Sequence, residues 1–332
     1  MRLDRLVPMA CWTITMFPHA SFLLLCCLFT STVSACFDYH VPHNHTHQPS
    51  RRWNVIYGDP YSQKWPDGKI KYCFKDKISR DKLKKPVEQA WNLWVTAGVR
   101  RDIQMVWDKK YCTEDDADDY LEISYNDQYI LSTSPGKWNY LLSHPTMALD
   151  PRDDFGSGSG ISNIAHEIGH AWGFFHEHSR KDLWSRDYGG TAEHNTFTWN
   201  CQNLKDYPDK AKEHPNLIDK MCHYNTFART YKFSAFNFLP EPDSRHAEGA
   251  FDEDSIMMYG STAGAVAGKT VYTKTDGSLL HYNRAPSPLD VAKLNSMYDP
   301  PDSTGQRSGL FWSKSNPNSN LFRRIVGKKD CK

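Results

Sequence analysis

Within eleven residues this chain places His166, Glu167, His170, Gly173 and His176, in the run His166-Glu167-Ile168-Gly169-His170-Ala171-Trp172-Gly173-Phe174-Phe175-His176. Imidazoles are common ligands of divalent transition metals, and a carboxylate beside them is a proton acceptor. On a helix, residues four apart turn through about 400°, so His166 and His170 project from one face toward a single ion. Glu167 lies too far round that helix to join the pair but close enough to reach a water at the metal, which makes it the candidate general base. Gly173 has no Cβ and takes the left-handed conformation that ends a helix, so the chain can turn back and bring His176 to the ion. Three neutral imidazoles leave one tetrahedral position open, as in a catalytic rather than a structural zinc site. The implied cofactor is one Zn2+ per subunit, and the implied chemistry is hydrolysis by metal-activated water. A bare His-Glu-x-x-His also reads as two exposed histidines on a helix, but that reading leaves the extension through Gly173 to His176 unexplained.

The elements around this run give an α+β pattern. Residues 69–74 alternate like a half-buried strand, and 103–107, 120–125 and 146–150 read as further strands. Ser79 is a candidate cap for a helix through Leu83, Val87, Ala90, Trp91, Leu93 and Trp94, with Pro86 in an early turn or bending it. Residues 156–160, Gly-Ser-Gly-Ser-Gly, read as a flexible approach to the helix that carries His166. Strands and a long helix before the site imply an upper lobe built on a sheet. After His176 the chain is richer in Pro, Asn and Asp, which implies a loop-rich lower lobe.

The amino-terminal residues 1–35 read as a secretory signal, with Arg2 and Arg5, a short apolar run at 22–29 and small residues Val33-Ser34-Ala35 for cleavage. The run is short for a bilayer span, though an uncleaved anchor and lipid attachment at Cys36 stand as alternatives. Residues 36–52 hold His40, His43, His45 and His47 and the Asn44-His45-Thr46 glycan acceptor, and end in Arg51-Arg52. That dibasic pair reads either as a processing site, with Trp53 as mature start, or as a solvated charge pair. The chain has nine cysteines, an inventory suited to an oxidising compartment. Cys201 with Cys222 is the first pairing to expect and Cys73 with Cys112 the second, while Cys331 pairs with Cys36, pairs between chains or stays free. Residues 53–298 form the body and 299–332 a carboxy-terminal extension. Lys plus Arg number 40 against 39 Asp plus Glu, so charge argues for neither nucleic acid nor an anionic membrane as partner.

At His176-Glu177-His178-Ser179-Arg180 the sequence resembles the astacin family of metzincin zinc metalloendopeptidases, in which Glu follows the third histidine. Ser255-Ile256-Met257-Met258-Tyr259 is similar to that family's Met-turn, and weaker matches lie at 65–70, 199–203 and 289–298. The resemblance implies an upper lobe with a twisted mixed sheet and two long helices, a loop-rich lower lobe, and an active-site cleft between them. It implies zinc ligation by His166, His170 and His176, with Glu167 as base and then acid. Met257 would form a hydrophobic floor below the metal, and Tyr259 would ligate the resting zinc or swing to the transition-state oxyanion. Glu177 would meet the amino terminus of the mature enzyme through water. The stretch 180–187 is longer than the family's, the cysteines fall elsewhere, and the usual aspartate-switch pro-sequence is not evident.

Together these readings predict a secreted zinc endopeptidase that binds protein substrates in extended form, along a sheet edge near residues 146–150. A different metzincin peptidase is one competing reading, discriminated by Glu177. A secreted zinc-containing binding module that does not cleave is another.

Overall fold

A computed structural model describes residues 62–112, 120–138, 144–240 and 251–299. The signal, the His-rich segment, Arg51-Arg52, Trp53, Cys36, Cys331 and the extension beyond Asp299 lie outside the described residues. Strand β1 (Ser62–Gln63) leads into β2 (Lys69–Phe74), where Lys69 and Lys71 are exposed while Ile70, Tyr72, Cys73 and Phe74 are buried. The long helix α1 (Lys77–Ala97) follows, then β3 (Gln104–Trp107), β4 (Leu121–Tyr125), β5 (Ser132–Thr133), β6 (Lys137–Trp138), which pairs antiparallel with β1, and β7 (Thr146–Leu149).

Five of these strands form one mixed sheet in the order β3-β2-β4-β7-β5, parallel throughout except for antiparallel β5. Parallel strands covered on their faces read as apolar runs, and Leu121, Ile123, Met147 and Leu149 are fully buried. The expected substrate edge at 146–150 is therefore corrected: β7 is held by β4 on one side and β5 on the other. The outer strands of the sheet are β3 and β5, and the two residues of β5 carry too little periodicity to read as a strand.

Leu83, Val87, Ala90 and Trp94 recur at helical spacing and form the buried stripe of α1. Its cap is Asp76 rather than Ser79: the Asp76 carboxylate accepts from the Ser79 amide at 2.7 Å, three residues on. Pro86 stands mid-helix, not in the first turn. Packing of the buried stripe offsets a cost of about 3 kcal/mol for interior proline.

The helix α2 (Gly160–Ala171) carries the metal-ligand motif across this first core. Short helices α3 (Tyr207–Glu213), α4 (Ile218–His223) and α5 (Asn225–Thr230) and the antiparallel pair β8 (Phe197–Trp199) and β9 (Tyr272–Lys274) belong to the second half. That half has its own core, with Trp184, Phe197, Phe238, Met258 and Tyr272 buried together. The last helix, α6 (Pro288–Met297), returns to the first core through Val291, Leu294 and Met297. No helix among the described residues is long and apolar enough to cross a membrane.

Both expected disulfides are present, Cys73 with Cys112 and Cys201 with Cys222. The first closes 39 residues, for which loop-closure entropy gives a stabilisation of up to about 4 kcal/mol. Replacing Cys73 and Cys112 together should accordingly lower the urea midpoint, while an unchanged midpoint would show that the crosslink does not constrain the unfolded chain.

Candidate zinc centre

The glycine-serine stretch before α2 is a built entry rather than a loose one. The Ser159 hydroxyl accepts from the Ser162 amide at 3.3 Å, Asp153 accepts from the Gly160 amide at 2.6 Å, and the Asn163 side chain accepts from the Ser157 amide at 2.8 Å. From that cap the helix runs for about three turns, and His166 and His170 fall on one face. Gly173, at φ 97°, reverses the chain in the left-handed region, and His176 comes back beneath the helix end.

The three imidazoles converge, with one ligating nitrogen from each lying within 4.8 Å of the others. Two of them have their outer nitrogens tied to backbone: His166 Nδ1 donates to the Ile256 carbonyl at 2.8 Å and His170 Nδ1 to the Phe174 carbonyl at 2.7 Å. Those bonds fix the tautomer, leaving the Nε2 lone pairs to face inward. His166 Nε2 is buried with no hydrogen-bond partner, and the Nε2 atoms of His170 and His176 stand 3.2 Å apart. Lone pairs turned on one another in a buried space fit a shared cation. Burial and then the neighbouring His170 hold His166 at about 3, and burial holds His170 at about 4. Burial keeps His176 well below its ordinary range too, so all three are neutral ligands.

Glu167 is fully buried, and one carboxylate oxygen accepts from Thr133 Oγ1 at 2.6 Å. Thr133, on the outer strand β5, is a contact of the candidate base that the sequence did not reveal, because a threonine in a two-residue strand reads as ordinary surface. Met257 is buried beside α2: a Cβ added at Gly169 would lie 2.4 Å from its Sδ and 3.3 Å from the Trp94 ring. Tyr259 is 9% exposed, with its ring centroid 4.4 Å from that of His176 and 5.9 Å from that of His166. It sits with Met258 in the second core, while Met257 belongs to the first. The turn between them is thus where the two cores meet the histidines.

That turn is built by side chains from far away. The Asp290 carboxylate on α6 accepts from Ser255 Oγ at 2.7 Å and from the Ile256 amide at 2.8 Å, and Ser255 Oγ accepts from the Met257 amide at 3.0 Å. His178, quoted above only as part of the motif, is buried as well. Its Nε2 donates to the Asn237 carbonyl at 2.8 Å, and its Nδ1 accepts from the Tyr259 amide at 3.4 Å.

Glu177, expected from the resemblance to meet an amino terminus, has internal partners among the described residues, while Trp53 lies outside them. Its amide donates to the Met257 carbonyl at 3.1 Å. Its carboxylate accepts from Arg180 Nη1 at 2.6 Å, from Lys293 Nζ at 3.1 Å and from the Asp252 amide at 3.2 Å. Burial raises its pKa, but the Lys293 ammonium and the Arg180 guanidinium outweigh burial and hold it below the usual carboxylate range.

No protein-family model matches the chain. In sequence it is similar to zinc metalloproteinase nas-14 of Caenorhabditis elegans, 28% identical over 167 residues that make up 49% of this chain and 30% of the relative. It is similar also to astacin-like metalloprotease toxin 2 of Loxosceles intermedia, 30% identical over 161 residues, 46% of this chain and 49% of the relative. The chain thus spans less than half the length of these curated relatives. Among solved structures, high choriolytic enzyme 1, a hatching enzyme zinc-protease from Oryzias latipes, aligns over 75% of this chain and 98% of its own, with a TM-score of 0.46 at 17% identity.

The tight contact at Gly169 generates a test. Gly169→Ala should push Met257 and Trp94 apart and cost about 1–3 kcal/mol by overpacking. A thermal melt of that variant superimposable on the wild type would show that the contact has slack.

Proposed function

We propose that the chain is an astacin-like zinc metalloproteinase, as its similarity to zinc metalloproteinases of that kind suggests, and that it acts as a secreted zinc endopeptidase. The observation that carries this reading is the convergence of three buried imidazoles, two of them tethered to backbone carbonyls, beside a buried carboxylate. His166, His170 and His176 would hold one zinc ion per subunit, with Gly173, Glu177 and Met257 supporting the ligands. When bound, the metal supplies Lewis acidity, lowering the pKa of water toward about 7 and polarising a substrate carbonyl.

The chain's own residues do the rest. Glu167 takes the proton of the attacking water and hands it to the leaving amine, so no covalent intermediate is needed. Thr133 Oγ1 holds one Glu167 oxygen by hydrogen bond, which helps to fix the direction of the carboxylate that takes the proton. Tyr259, packed against His176, offers its phenol to the oxyanion that develops at the substrate carbonyl. An extended peptide adds as a further strand beside β5, the outer strand on this side of the sheet, with backbone hydrogen bonds giving affinity. The disulfides agree with export to an oxidising compartment.

Two measurements test the mechanism. Glu167→Gln should retain zinc, measured by metal analysis, while turnover of an unfolded protein substrate falls about 10²–10⁴-fold, the range for loss of a general base. Activity that survives this change sinks the mechanism, and a zinc-loaded wild type that cleaves no peptide in a varied library favours the binding module. Thr133→Val should lower kcat about tenfold with KM little changed, and Thr133→Ser should restore most of it; equal losses in both would assign Thr133 to packing alone.

A further inference from the structure

Lys293 is a lysine inside the protein. Its side chain is 8% exposed, and its ammonium lies 3.1 Å from Glu177 Oε2, across 116 residues of sequence. Buried ammonium groups are retained where a buried carboxylate needs them. Three carboxylates meet here: Glu177, Asp290 one turn earlier on α6, and Asp252, whose side chain accepts from Ser287 Oγ at 2.6 Å. Two cations answer them, Lys293 and Arg180, and among the described residues the partners of the Glu177 carboxylate are those two groups and the Asp252 amide.

The position of Glu177 gives this arrangement its consequence. It follows His176 directly, and its amide is bonded to the Met257 carbonyl. Moving the carboxylate moves the third ligand and the turn beneath the histidines together. Through Asp290 and Lys293, α6 therefore reaches the ligand set twice, at His166 by way of Ile256 and at His176 by way of Glu177. The resemblance to the astacin family assigns Glu177 to a free amino terminus. In this chain the Glu177 carboxylate already faces an ammonium and a guanidinium supplied from within the fold.

We propose that Lys293 is a positioning residue that supplies, from inside the chain, the ammonium Glu177 requires, so that the metal site is complete before any cleavage at Arg51-Arg52. The proposal rests on the reading of His166, His170 and His176 as zinc ligands. It assigns cleavage at Arg51-Arg52 no part in assembling the site.

The test measures zinc affinity by competition with a chromophoric chelator, using the full chain with a site-specific protease sequence in place of residues 49–52. Affinity before and after cutting should agree within about twofold, and a tightening of tenfold or more on cutting overturns the proposal. Lys293→Met should weaken zinc binding about 10–100-fold, as losing the partner of a ligand-bearing segment does. In a Glu177→Gln background the same change should have little further effect, because the carboxylate that needed the ammonium is gone. An equal loss in both backgrounds, or no loss in either, overturns the pairing role. If Lys293→Met does not fold, the cut and uncut comparison on the unsubstituted pair still decides. A wild type that binds no zinc defeats the site reading itself, whereas one that binds zinc but ignores Lys293 defeats only this proposal.

Discussion

The carboxylate of Asp290 is the contact on which the rest of the site depends. It accepts from Ser255 Oγ, from the Ile256 amide and, as a helix cap, from the Ser287 amide at 3.0 Å. Burial raises its pKa, and the Lys293 charge and these donors oppose that rise. A buried amide without an acceptor costs roughly 1–3 kcal/mol, so the turn from Ser255 to Tyr259 has one stable arrangement while Asp290 is present. In that arrangement the Ile256 carbonyl points at His166 Nδ1, and Met257 fills the space that Gly169 leaves. An imidazole's direction is thus decided by an acid on a helix 124 residues downstream.

The same logic explains why the chain visits the first core twice. The sheet, α1 and α2 form it, the chain leaves to build a second core around Trp184, Phe238 and Tyr272, and α6 then returns. A ligand loop hung only from the end of α2 would be held by its own backbone. With α6 packed through Val291, Leu294 and Met297, its two charged side chains Asp290 and Lys293 are delivered to fixed points under the histidines. Apolar burial provides the stability of the return helix, and its charged residues provide direction.

Much of this was legible in the sequence where the signal is local. The strand at 69–74 and the helix containing Leu83, Val87, Ala90 and Trp94 follow from periodicity, and both expected cysteine pairs are present, although sequence alone does not derive their connectivity. Local reasoning failed where a neighbour competed. Asp76 takes the cap that Ser79 suggested, Pro86 survives inside a helix that packing holds, and the two-residue β5 displaces β7 from the sheet edge. Glu177 is the sharpest case, since its neighbours in sequence reveal Arg180 but not Lys293.

By itself, then, the sequence determined that three imidazoles gather beside one carboxylate, because spacings of three to six residues on a helix and a glycine turn are geometry that the backbone alone enforces. Only the tertiary structure decided how those groups are aimed and neutralised. Thr133 on Glu167, Asp290 on the Ile256 turn and Lys293 on Glu177 join residues 34 to 116 positions apart. A hydroxyl, a carboxylate or an ammonium looks the same in a sequence whether it faces water or a buried partner, and burial, which makes each of these contacts strong, exists only once the chain has folded.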